Sequence, residues 1–325
     1  MAAPVFPCII PTLTRDYLDT RDHIYSLLKL FNIKKLVFLG PEKLRDIIKE
    51  DSIKLDIQDR VTFINGNDIL SFDAVEDAYN KRLEKILAEK DCERKSSAGW
   101  YYQQFLKLSY HKFCEDEYYL CWDSDTIPLR QTSMFDPNGK PYFDVKSEYI
   151  PSYFDAIKQL FNMNKIIEPS FISGHMLFKK SYISEMLDEI MATDFDGTTF
   201  YEKILQAVTN PHNGFSEFET YGTYIGIRHP GAYTIRFWSS LRNASLLINR
   251  TDLTDEDLEW LSTGFDSASF ERYQNAINEL TDLFRNQKYR NSMNSDRFYE
   301  EILKSGILGD YENGGLKVDD SLCPA

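Results

Sequence analysis

The stretch Tyr118-Tyr119-Leu120-Cys121-Trp122-Asp123-Ser124-Asp125 decides how this chain reads. Its first five residues are apolar or aromatic without alternation, the pattern of a strand buried on both faces. The run then stops in two carboxylates one residue apart. Open α/β sheets bind ligands outside the carboxyl ends of their strands, so Asp123 and Asp125, with Ser124 between them, fall where a site is expected. Two hard oxygen donors suit Mn2+ or Mg2+, and such ions complete their shells with substrate phosphates and water. Asp is also common in turns after strands, so the pair means little without its neighbours.

Upstream, strands alternate with helices. Cys8–Ile10 lies between Pro7 and Pro11, Lys35–Leu39 is stopped by Gly40-Pro41, and Val61–Ile64 ends in the turn Asn65-Gly66-Asn67-Asp68. Helices are predicted over 16–31, from near Glu42, over 74–90 and over 100–113, with a polar loop at 91–99. This alternation predicts an α/β fold with a Rossmann-like, doubly wound mixed sheet. Downstream, a helix is predicted from Pro151 to Asn162, with Pro at its start. A strand-like segment spans 171–178, and helices follow near 181–191, 199–208 and 217–224. A last strand is expected at 232–238. Beyond about residue 251 the chain is acidic and helical, opening on Thr254-Asp-Glu-Asp257, and it reads as a loose tail after 314. The expected organisation is a catalytic domain over 1–250 and a helical C-terminal extension over 251–325.

Composition narrows the function. The net charge of −14, with no Lys/Arg block, argues against nucleic acid and against broad attraction to anionic lipid. Peripheral membrane contact stays open. The aromatic content, 22 Phe and 20 Tyr, argues against disorder. Cys8, Cys92, Cys114, Cys121 and Cys323 are scattered, without paired zinc spacing, and fit free thiols in a reducing cytoplasm. No signal-peptide pattern and no membrane-length apolar run is read. No Walker loop or dinucleotide Gly-x-Gly-x-x-Gly supports a kinase or a dehydrogenase.

Four further constellations could carry chemistry. In Gly99-Trp-Tyr-Tyr-Gln-Gln-Phe-Leu-Lys-Leu108, helical spacing puts Tyr101, Phe105 and Leu108 on one face. Gln103, Gln104 and Lys107 then form either a solvated flank or donor contacts, with Lys107 countering phosphate. Ser216-Glu217-Phe218-Glu219 matches a capping box, with Ser216 as N-cap and Glu219 folding back. That leaves Glu217 to face a cleft as general base, with Glu219 as second choice. In Ser173-Gly174-His175, Gly174 marks close backbone approach, and His175 is either a structural residue or a sugar contact. Arg228 and Arg236 are candidates for diphosphate through charge-assisted bonds. Thr12 and Asp68, at strand carboxyl ends, are candidate donor contacts or ordinary loop residues.

The order of Gly99-Trp-Tyr-Tyr-Gln-Gln, Tyr-Leu-Cys-Trp-Asp-Ser-Asp-Thr (119–126), Ser-Gly-His-Met-Leu-Phe (173–178) and Ser-Glu-Phe-Glu-Thr-Tyr-Gly (216–222) resembles a family of bacterial-type GT-A glycosyltransferases of O-antigen and capsule polysaccharide synthesis. The resemblance covers roughly residues 5–240. It implies a GT-A fold, a UDP- or GDP-type nucleotide-diphosphate sugar donor and a saccharide acceptor. It further implies Mn2+ or Mg2+ on Asp123 and Asp125, with His229 as the candidate late ligand. The activity expected is hexosyl or pentosyl transfer with inversion, Glu217 acting as base. Retention stays open, as do two rivals: a metal-dependent nucleotidyltransferase or phosphoesterase, and a non-catalytic saccharide-binding module. Trp122 stands where such strands commonly carry an aliphatic residue.

Overall fold

The computed structural model describes residues 4–89, 97–272 and 274–308. Its strands, in chain order, are β1 (Phe6–Pro11), β2 (Ile33–Gly40), β3 (Val61–Asn65), β4 (Tyr118–Trp122), β5 (Thr126–Pro128), β6 (Tyr142–Val145), β7 (His175–Lys179), β8 (Thr234–Phe237), β9 (Ser240–Leu241) and β10 (Ser267–Ser269). The chain divides into two units. The first draws on Met1–Thr14, Ile33–Trp122 and Met134–Phe237, the second on Arg15–Asn32, Asp123–Ser133 and Trp238–Ala325.

The first unit is a mixed α/β structure on a sheet of order β3-β2-β1-β4-β7. Four strands are parallel, and β7 runs antiparallel to β4. Helices on the faces of a parallel sheet bury its strands from both sides, hence the unbroken apolar runs. All six residues of β1 and the last four of β4 are buried. The face predicted for the Ala98–Ser109 helix is also buried, with Tyr101, Phe105 and Leu108 inaccessible to solvent. β7 begins only at His175. Gly174 takes φ +78°, a left-handed value open mainly to glycine, so 171–174 bend into the strand instead of extending it. β6 and β8 form a separate parallel pair.

In the second unit β10 pairs antiparallel with β5 and parallel with β9. Its core gathers Trp260 with Phe284 and Phe298 in edge-on ring contacts at 5.5 and 5.3 Å. The division expected at residue 250 is therefore corrected. The C-terminal residues share a unit with 15–32 and 123–133, and they supply strands as well as helices. The pairing of Ser269 with Thr126 spans too much sequence to leave a local signal.

Two local expectations change as well. The helix predicted over 16–31 is split into Thr14–Ile24 and Leu27–Leu30, with Ser26 Oγ bonded to His23 O at 2.6 Å in the break. The turn at Asn65–Asp68 is one helical turn, Gly66–Ile69, capped by the Asn65 side chain. Cys8, Cys114 and Cys121 are buried free thiols. Cys92, Cys323, most of the 91–99 loop and the tail after 314 lie outside the described residues. Among the described residues no helix is long and apolar enough to cross a membrane.

Candidate functional site

Asp123 and Asp125 open the β5 segment of the second unit. Thr126 N donates to Asp123 O at 3.1 Å, and Phe270 N donates to Asp125 O at 2.8 Å. Thr126 Oγ1 bonds Asp125 Oδ1 at 3.2 Å and Ser269 Oγ at 2.8 Å. The backbone is thus fixed on both sides while Asp123, Ser124 and Asp125 stay half-exposed. Burial and the Asp123 charge push the Asp125 carboxyl up to about 6, against the lowering influence of Arg250, the Thr126 bond and Arg242. A carboxyl raised by burial and by a neighbouring carboxylate belongs to a donor set that a divalent cation relieves. No group of three or more His, Cys, Asp or Glu side chains able to hold a metal gathers among the described residues. A cation here would take protein oxygens from Asp123 and Asp125, and the rest of its shell from ligand and water.

In the first unit the structure brings Gln104, Lys107 and Glu217 together, with Glu217 in a buried contact instead of the open cleft expected of it. Lys107 Nζ donates to Glu217 Oε1 at 2.5 Å and sits 4.2 Å from the centre of the Phe218 ring. Gln104 Oε1 accepts from Glu217 N at 3.1 Å. Lys107 and Glu217 are 2% and 3% exposed, so Glu217 faces no open cleft and the Lys107 charge is committed to it. Gln103 is half-exposed on the same helix.

The expected capping box is half made. Ser216 Oγ accepts from Glu219 N at 3.2 Å, but Glu219 does not fold back. Its Oε2 accepts from Ser170 Oγ at 2.6 Å and from Phe171 N at 3.2 Å. Burial raises the Glu219 carboxyl, with the Ser170 bond opposing. Gly222, one turn further on, lets the Phe171 ring approach so closely that a Cβ there would meet it at 2.2 Å. Glu219 and Gly222 together pin the approach to β7.

His175 is also corrected. Nε2 lies 2.9 Å from Asp144 Oδ2, the ring stacks on Trp122 with centroids 4.9 Å apart, and the residue is 1% exposed. Trp122 and His175 are register partners across β4 and β7, which explains an aromatic residue before the Asp pair. Arg236 closes the same group. Its Nε and Nη2 reach Asp144 Oδ1 and Oδ2 at 2.6 and 2.8 Å, a bidentate fork that takes it away from diphosphate. Burial raises the Asp144 carboxyl, but bonds from His175 and Arg236 more than offset this and hold it low. Asp144 escaped the sequence reading because no motif surrounds it.

The remaining candidates are dispersed. Arg228 pairs with Glu189, its Nε at 3.2 Å. His229 Nε2 lies 2.8–2.9 Å from both Glu185 oxygens, and its ring stacks on Tyr182. Thr12 is buried at the end of β1, its Oγ1 turned to Leu13 O at 3.2 Å. Asp68 is exposed in the Gly66–Ile69 turn. A shallow cleft of about 860 Å³ lined by His111, Lys180, Ser184, Asp188 and the His229 partner Glu185 holds none of the predicted site residues.

The chain belongs to a family of unknown function (DUF6492), whose model matches residues 67–278. That family does not bear on the expected link to O-antigen and capsule enzymes. No curated protein matches. Similar solved structures include mouse xyloside xylosyltransferase 1 in its apo form, 14% identical, TM-score 0.45, covering 84% of this chain and all of that one. A second is the galactosyltransferase LgtC in complex with donor and acceptor sugar analogues, 11% identical, TM-score 0.39, covering 89% of this chain and all of that one. A third is the apo glycosyltransferase GlyE of Streptococcus pneumoniae TIGR4, 12% identical, TM-score 0.39, covering 94% of this chain and 64% of that one. At these identities and scores none of the three assigns a function.

Proposed function

We propose that this chain is a metal-dependent GT-A glycosyltransferase that moves a sugar from a UDP- or GDP-type donor to a saccharide acceptor. The observation that carries the reading is the Asp123–Asp125 pair, held by backbone bonds directly after the buried strand β4 and half-exposed. Mn2+ or Mg2+ on that pair would supply charge neutralisation for a departing nucleoside diphosphate. The chain's own part is to keep the two carboxylates within one turn of each other, which the Thr126 and Phe270 bonds do. Neither Glu217 nor Glu219 serves as base in this reading, because each is committed to a buried contact. The buried free thiols fit the reducing cytoplasm where such donors are made.

The test is a donor screen. Protein with Mn2+ or Mg2+ is incubated with each common nucleotide sugar, with and without oligosaccharide acceptors, and nucleoside diphosphate release is followed. Release with one donor, lost in EDTA and in Asp125→Ala, is expected. Release of pyrophosphate or nucleoside monophosphate instead would move the assignment to the nucleotidyltransferase or phosphoesterase rival.

A further inference from the structure

Arg250 is nine-tenths buried in the second unit, and its Nη2 donates to Phe270 O at 2.5 Å. Among the described residues Nε and Nη1 have no hydrogen-bond partner, and no carboxylate makes an ion pair with the guanidinium. Its neighbours are paired, Arg272 with Asp16 at 2.8 Å and Arg242 with Glu271 at 3.7 Å. A buried cation left without a counter-charge is strongly unfavourable. Chains keep such groups where something else completes them.

Its position says what completes it. The Phe270 carbonyl that holds Arg250 belongs to the residue whose N–H binds Asp125 O at 2.8 Å. One residue therefore ties the guanidinium to the Asp pair. Arg250 lies within electrostatic reach of Asp125, Asp19 and Asp16 without touching them. A divalent cation on Asp123 and Asp125 would cancel part of the negative field that now compensates Arg250. The loaded site then needs an anion. Water satisfies N–H groups without neutralising charge, whereas a phosphate does both, and the planar fork of arginine fits phosphate oxygens bidentately.

We propose that Arg250 is an anion-binding residue that takes a phosphate group beside the Asp123–Asp125 pair. That this phosphate belongs to a nucleotide-sugar diphosphate rests on the function proposed above. Arg250 was not singled out by the sequence, because Asn249-Arg250-Thr251 has no pattern beyond an incidental sequon.

The test uses the full chain and inorganic pyrophosphate, with binding measured by calorimetry and by the shift in thermal midpoint, with and without Mg2+. Wild type is expected to bind. Arg250→Met is expected to lose at least tenfold in affinity, while the exposed-site control Arg297→Gln binds as wild type. Should Arg250→Met not fold, Arg250→Lys takes its place, and a weakened affinity supports the proposal. Wild-type affinity in either folded variant, or no binding by wild type with Mg2+ present, overturns it. The two readings fail separately. Pyrophosphate binding that depends on Arg250, with no donor turned over, keeps the anion site and sinks the transferase. Donor turnover undiminished in Arg250→Met does the reverse.

Discussion

Two groups of charged side chains, one in each unit, hold their charge in opposite ways, although the second unit also holds a completed buried pair, Arg290 with Asp257. In the first, Lys107 meets Glu217, and Asp144 meets both Arg236 and His175, each within hydrogen-bond distance, with every member but the half-buried Arg236 out of solvent. In the second, Asp123 and Asp125 stand side by side half-exposed, and Arg250 is buried with two nitrogens unpartnered. Completed ion pairs define architecture, because their binding capacity is already used by protein. Incomplete ones retain the capacity to bind something else. By that contrast the sequence candidates Glu217 and His175 already have buried protein partners, and the unremarked Arg250 is the one with binding capacity left over.

The contrast can be broken most easily at Lys107. Replacing it by Met strands a buried carboxylate and is expected to cost about 3–5 kcal/mol, whereas Arg250→Met is expected to cost under about 1 kcal/mol, because relief of desolvation offsets its lost bond. Urea unfolding of both variants measures this, and equal losses would erase the distinction. A smaller effect is expected at Asp144. Its carboxyl is held low by bonds from His175 and Arg236 that outweigh the effect of burial. The stability it contributes is therefore present above the unfolded value of about 3.9 and lost as pH falls through the folded one. Asp144→Asn is expected to cost about 1.5–3 kcal/mol at pH 7, and the gap to wild type is expected to narrow as pH falls below the unfolded carboxylate value and through the lowered folded one. A gap that does not change with acidification would mean packing, not charge, sets its role. The smallest effect is expected at Arg228→Gln. This removes an exposed pair with Glu189 and is worth no more than about 1 kcal/mol, with no change in donor turnover. A large loss of turnover would return Arg228 to the site.

The sequence was legible where neighbours in the chain decide the outcome. Buried strands β1, β2 and β4 show as apolar runs because both faces are covered, the inward face of Ala98–Ser109 shows as helical spacing, and Pro151 marks its helix start. It was illegible where partners lie far apart. Glu217 looks like a free base until Lys107, 110 residues away, is seen to hold it. His175 looks like a ligand contact until Asp144 and Trp122 enclose it. Ser216-x-x-Glu219 has the form of a capping box, yet the Glu219 side chain goes to Ser170 and Phe171, whose N–H and hydroxyl no local pattern announces.

The most direct measurement is nucleoside diphosphate release from a panel of nucleotide sugars, with Mn2+, with EDTA, and with Asp125→Ala and Glu217→Gln compared at matched folded fractions. Release by wild type that needs metal, is lost or falls by more than the roughly 10–100-fold typical of outer-shell changes in Asp125→Ala, and survives per folded molecule in Glu217→Gln is the predicted result. Metal-independent release, or a folded Glu217→Gln protein that is inactive while Asp125→Ala turns over normally, would contradict it.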